Sequence, residues 1–281
     1  MVKMTQRTQQ LKKRVFDADT AICPDRAYWL TESYKETEGQ PQILRRAKAF
    51  KKVLENMKIY ISDGELIVGN FASAPRSAPL FPEFGITWLR KELDWLPTRP
   101  LESFQVSDEV RKLVDYLEDY WPGKTHEDLA NNLMHEVLPD KYQYGFNWSN
   151  YSMNQVISCA AHMSTGDGHI IGNYGMVMNE GLLGVIEKAK ARIAEMDDDP
   201  HKVDIDKKLF YKAVIIVCEG MIAFANRFAD EAERLALTAG ETRKKELALI
   251  AENCRRVPAH PAETFMQALQ AYWFIHMGIQ L

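Results

Sequence analysis

Apolar residues recur at helical spacing along most of the chain, and the stretches where that period fails are as informative as those where it holds. Pro24 fits the first turn of a helix running through Arg26, Leu30 and Tyr34, and Gly39 stands where that helix would stop. In the next helix Ile43, Leu44, Ala47, Phe50, Val53, Leu54 and Met57 share one face, while Arg45, Arg46, Lys48 and Lys51 form a solvated one. The period then changes to two. Ile59 and Ile61 alternate with polar neighbours, Asp63-Gly64 signals a turn, and Leu66-Ile67-Val68 closes at Gly69, a pattern that predicts a β-hairpin.

Residues 1–16 are polar and charged and read as a frayed arm. From Ala72 to Arg99, Pro75, Pro79, Pro82 and Pro97 predict irregular chain pinned by Phe81 and Phe84, with one short helix near Trp88–Leu93. Helices are predicted over 107–121, ended by Pro122-Gly123, and over 125–138. The segment Tyr151–Ala161 suits a helix or a buried strand equally. Further helices are predicted at about 180–196, 204–237 and 241–254, the second with Leu209, Ala213, Ile216, Gly220, Phe224 and Phe228 on one core stripe. The last is entered through Pro258–Glu263 and carries Phe265, Leu269, Tyr272, Trp273 and His276. The chain then ends in apolar sequence with no cap, as an interrupted chain would. The class expected is mainly α with a few strands.

One stretch carries candidate chemistry. Glycines at 166, 168, 172 and 175 allow tight turns and close backbone approach, and Asp167, His169, Asn173 and Tyr174 supply polar ends. No lysine follows at P-loop spacing and no β-branched run precedes, so neither a phosphate cradle nor a dinucleotide fold is indicated. The plainer alternative is a glycine-rich loop whose histidine caps the next helix or bonds a backbone carbonyl.

Composition narrows the partners. The 46% hydrophobic and 26% charged residues are a soluble globular balance. A net charge of −4 offers no basic field for nucleic acid or anionic lipid. Apolar runs such as Ala213–Cys218 fall short of a membrane span and the start of the chain has no apolar signal core, so a cytoplasmic protein is expected, without nucleic-acid or membrane partners. Cys23, Cys159, Cys218 and Cys254 form no C-x-x-C pair and the seven histidines show no ligand pairing at i+4, so reduced core thiols and no directly bound metal are expected.

A set of motifs in order carries a resemblance. Asp25-Arg26-Ala27, Leu30–Lys35, Glu38-Gly39-Gln40-Pro41, Ile43–Ala47, Gly64–Gly69, Pro75-Arg76-Ser77, Phe81–Phe84, Tyr120–Thr125 and Gly168-His169 are similar to the amino-terminal part of glycyl radical enzymes of the pyruvate formate-lyase superfamily. The chain most resembles the branch of B12-independent glycerol and propanediol dehydratases. The resemblance implies that residues 1–281 are the amino-terminal part of an enzyme more than twice as long. The full-length fold it implies is a ten-stranded α/β barrel of two half-barrels of parallel strands. It further implies a glycyl radical installed by an activase that uses an iron–sulfur cluster and S-adenosylmethionine, a catalytic cysteine in a G-C-V-E-like motif, a radical glycine in an R-V-x-G-Y-like motif, and a homodimer. The chain has no Gly-Cys pair, and neither Arg14-Val15 nor Arg256-Val257 continues as x-Gly-Tyr, so inactivity alone is expected. His169 falls where the dehydratase branch has a histidine bonding a substrate hydroxyl, and Asp167 either orients it or faces solvent. Two other readings are an acyltransferase of the formate acetyltransferase kind, which needs an adjacent cysteine pair absent here, and a stand-alone helical scaffold.

Overall fold

The computed structural model describes residues 4–137, 170–198, 201 and 203–281. They fall into two units, one of residues 1–79 with 170–281 and one of residues 80–169.

The first unit is built on a long helix. In chain order it contains α1 (Gln6–Asp17), β1 (Ala21–Cys23), α2 (Asp25–Glu36), α3 (Gln42–Asn56) and β2 (Ser77–Pro79). After the second unit come α7 (Tyr174–Asp197), α8 (Ile205–Ala236), α9 (Glu241–Arg256) and α10 (Phe265–Ile279). The predicted stripe on α8 is core: Ala213, Gly220, Phe224 and Phe228 are buried, and α3, α7 and α9 pack around them. Length and composition alone would let α8 cross a membrane, but its position is that of a central packing helix. Gly220 makes the α3 contact possible, since a Cβ there would lie 2.9 Å from the Lys51 Cα. Phe224, Phe228 and Phe274 form an aromatic node with centroids 5.1 to 5.9 Å apart, and all three are fully buried. Arg227 reaches from α8 to the end of α3, donating to the Leu54 and Met57 carbonyls at 2.6 Å each and so satisfying groups that the helix leaves unpaired.

The pattern is corrected at three places. The polar start is no frayed arm: Thr5 caps α1 by accepting from the Thr8 N–H at 3.2 Å, and Arg7 pairs with Glu246 on α9. The predicted hairpin over 59–69 is absent. Its turn exists, with Gly64 at φ 82° and a Glu65 N–H to Ser62 carbonyl bond, but side chains take the backbone groups a ladder would use. Gln270 bonds both the N–H and the carbonyl of Val68, at 2.9 and 2.6 Å, and Arg243 donates to the Ser62 and Glu65 carbonyls. The strands lie elsewhere, β1 pairing parallel to β2 with Ala21 opposite Ser77 and Cys23 opposite Pro79. Both are three residues long, one of them in sequence read as irregular, too short to show a period.

The second unit contains α4 (Leu89–Glu92), α5 (Asp108–Tyr120) and α6 (His126–Val137). Val110, Leu113, Val114 and Leu117 are the buried stripe of α5, as their spacing predicts. Thr125 and Asp128 form a reciprocal cap at the start of α6, the Asp128 N–H donating to Thr125 Oγ1 at 3.0 Å and the Thr125 N–H to Asp128 Oδ2 at 3.1 Å. The expectation for Tyr151–Ala161 lies outside the described residues.

Candidate functional site

His169 and Asp167 also lie outside the described residues, which resume at Ile170. Ile170 and Ile171 are exposed, and Gly172 passes so close to α10 that a Cβ there would lie 3.1 Å from Ile279 Cδ1. Asn173 then caps α7, its Oδ1 accepting from the Met176 N–H at 3.1 Å, which gives the asparagine of the glycine loop a structural role.

Tyr174, the first residue of α7, packs its ring on Tyr272 of α10 at 4.5 Å between centroids. Tyr272 in turn lies parallel to His276, 5.9 Å away, and Trp273 is 5.8 Å from the same imidazole. These four side chains form a half-exposed aromatic shelf under the start of α7, suited to stacking a flat or apolar group. The sequence showed Tyr272, Trp273 and His276 as a stripe, but only the fold pairs it with Tyr174.

α7 is not one straight helix. Gly181 has φ 70° and ψ 164°, and the break lets the Leu182 and Leu183 N–H groups turn to the Pro258 and Ala259 carbonyls, at 2.8 and 3.0 Å. The Ala262 N–H closes the contact by donating to the Met178 carbonyl at 2.9 Å. The orientation of residues 174–180 relative to the rest of α7 is therefore tied to the 257–262 segment.

The described cysteines offer no nucleophile, because Cys23, Cys218 and Cys254 are all buried. Burial pushes the Cys218 thiol up to about 11 and the Cys254 thiol further still, so both remain protonated at neutral pH. Among the described residues no three His, Cys, Asp or Glu side chains form a cluster able to hold a metal.

A family model described as pyruvate formate lyase-like matches residues 4–281. The chain is 36% identical over 263 residues to an isethionate sulfite-lyase of Oleidesulfovibrio alaskensis, covering 92% of this chain and 31% of that protein. A trans-4-hydroxy-L-proline dehydratase of Clostridioides difficile is 32% identical over 277 residues, covering 98% of this chain and 34% of that protein. Among solved structures, the glycerol-bound B12-independent glycerol dehydratase of Clostridium butyricum aligns with a TM-score of 0.87 at 36% identity, over 99% of this chain and 34% of that one. The chain thus spans about a third of the length of these relatives.

Proposed function

The chain belongs to the pyruvate formate lyase-like family, and from that premise we propose that residues 1–281 are the amino-terminal portion of a glycyl radical dehydratase or lyase. Its reaction would cleave a C–O bond, or a C–N or C–S bond, of a small hydroxylated substrate such as glycerol or propanediol. The observation that carries this reading is the alignment of nearly the whole chain with glycerol dehydratase at 36% identity and a TM-score of 0.87.

Neither the cysteine motif nor the radical-glycine motif of the family occurs in these 281 residues, so no radical step runs through them. The proposed part of this stretch is recognition. His169 would hydrogen-bond the departing hydroxyl and hand it a proton, with Asp167 beside it in sequence. Anchoring by Asn173, the Tyr174–Tyr272 contact and the break at Gly181 fixes where the described end of the loop lies. In the complete enzyme, a homodimer in the cytoplasm of an anaerobically growing cell, an S-adenosylmethionine and iron–sulfur activase would install the radical.

The test is to express the complete gene product anaerobically with its activase and measure radical yield by electron paramagnetic resonance and aldehyde release from glycerol or propanediol. His169→Ala should leave radical yield and melting temperature unchanged and lower turnover on the order of 10²–10⁴-fold, with KM less affected. Normal turnover at normal radical yield would exclude the histidine, and release of no product from any such diol would exclude the reaction.

A further inference from the structure

The helix α10 has two apolar faces, and the packing of the described residues covers only one. Its 15 residues, Phe265–Ile279, include no Asp, Glu, Lys or Arg. Gln267, Gln270, Ala271, Phe274 and Met277 are its buried side, and α7, α8 and α9 are its neighbours. Phe265, Leu269, Tyr272, His276 and Ile279 share the opposite side: at about 100° per residue they fall in a sector roughly 80° wide, about 180° from Phe274. Four of these five are exposed, Phe265 at 76%, and His276 is half-buried. A helix that is apolar all round belongs inside a body, with packing on both faces.

Spacing indicates the kind of packing. The five residues follow one another at intervals of four, three, four and three, which is the repeat of a helix–helix seam and not a scatter of single surface residues. The start of α7 borders this stripe, because Tyr174 packs on Tyr272 at 4.5 Å and Gly172 passes close to Ile279. Next to Gly172 in the chain, Ile170 and Ile171 are exposed as well.

Two features choose the occupant. Beside the seam stand Met266, Ala268, Trp273 and Ile275, all uncharged and half-buried, whereas a two-stranded coil between separate chains commonly selects its partner with Glu and Lys at those positions. A stripe about 22 Å long and one helix, about 10 Å, wide also falls well short of the roughly 800 Å² that each partner of a stable dimer buries. A helix of the same polypeptide bears no such association cost.

On the reading of residues 1–281 as one portion of a longer enzyme, we propose that this stripe of α10 is the seam for an amphipathic helix from the polypeptide beyond residue 281, crossing α10 at about 20°. The docked helix presents apolar residues at the same four-and-three spacing, and through Tyr272 it bears on the start of α7.

The complete gene product, kept unactivated, is the material for the test. The photo-crosslinker p-benzoylphenylalanine is placed at Phe265 or Leu269, and crosslinked peptides are identified by mass spectrometry. Both positions should crosslink to one segment beyond residue 281, at sites three or four residues apart. In parallel, Leu269→Cys should react with a maleimide at least about tenfold more slowly in the folded complete protein than in urea. Crosslinks to residues 138–169, crosslinks to a second copy, no crosslinks, or labelling as fast as in urea would each overturn the assignment. None of these outcomes touches radical yield or aldehyde release, which test the dehydratase reading separately.

Discussion

Two glycines three residues apart on α7 should respond to the same substitution with opposite signs. Gly181 has φ 70° and ψ 164°, a conformation that residues with a Cβ avoid at a cost of about 1–3 kcal/mol. A Cβ there would also lie 2.4 Å from the Ala259 carbonyl oxygen and 2.7 Å from the His260 carbonyl carbon, both backbone atoms. Relief requires separating α7 from the 257–262 segment and weakening the Leu182, Leu183 and Ala262 hydrogen bonds, each worth about 0.5–1.5 kcal/mol. Together these give a loss of roughly 2–5 kcal/mol for Gly181→Ala. Gly184 is helical, and a Cβ there meets only Glu180 Cβ at 3.4 Å, so Gly184→Ala should gain about 0.5–1 kcal/mol through helix propensity. Urea unfolding followed by circular dichroism reads both. Because two units need not unfold together, amide exchange at 178–183 and 258–262 supplies the local readout. Gly181→Ala should raise exchange in both segments, and Gly184→Ala in neither. If both substitutions moved stability in the same direction, the break at Gly181 would not be the fixed contact described here.

Arg227→Met removes two charge-assisted hydrogen bonds to the Leu54 and Met57 carbonyls while keeping most of the side-chain volume, and should cost about 2–4 kcal/mol in denaturant unfolding; a loss under 0.5 kcal/mol would mean that water replaces the guanidinium freely. Arg243, together with Arg7, holds the Glu246 carboxyl below its ordinary value of about 4.5. The folded value is the lower one, so this pair stabilises the chain above about pH 4.5 and the contribution is lost as pH falls through the folded value. Glu246→Gln should therefore flatten the acid limb of a stability profile below pH 4.5 and leave its slope near neutrality unchanged; an unaltered acid limb would refute the coupling.

Helical period was legible wherever a helix buries a stripe. The predicted 241–254 and the last predicted helix, from Phe265 onward, correspond to Glu241–Arg256 and Phe265–Ile279, and the α8 stripe is core at Ala213, Gly220, Phe224 and Phe228, with Leu209 and Ile216 half-buried. α1 was missed because it buries nothing; a cap at Thr5 and an ion pair 239 residues away leave no apolar period to read. The hairpin was over-read because alternation at Ile59 and Ile61 says nothing about what bonds the backbone, and both isoleucines are only half-buried while the polar Ser62 is buried. Asp167 and His169 lie outside the described residues; in the stretch that follows them, the partner of Tyr174 is on a helix almost 100 residues later, and the break at Gly181 depends on an approach by Ala259 that no local pattern announces.

The helix that joins these features is α10. Gln270, buried and spending both its donor and its acceptor on Val68, does for the 58–70 segment what a neighbouring strand would have done. Three residues on, Trp273 takes the Gly69 carbonyl, and Gly69, at φ 147°, has room for that ring only because it lacks a Cβ. Tyr272, next to Trp273 and rotated by about 100° on the helix, packs on Tyr174, and His276 lies against both the Tyr272 and the Trp273 rings. One turn of α10 therefore holds the 58–70 segment through Gln270 and Trp273 and the start of α7 through Tyr272. A shift of this helix along its axis would disturb both at once, whereas a substitution confined to Gln270 would disturb only the first.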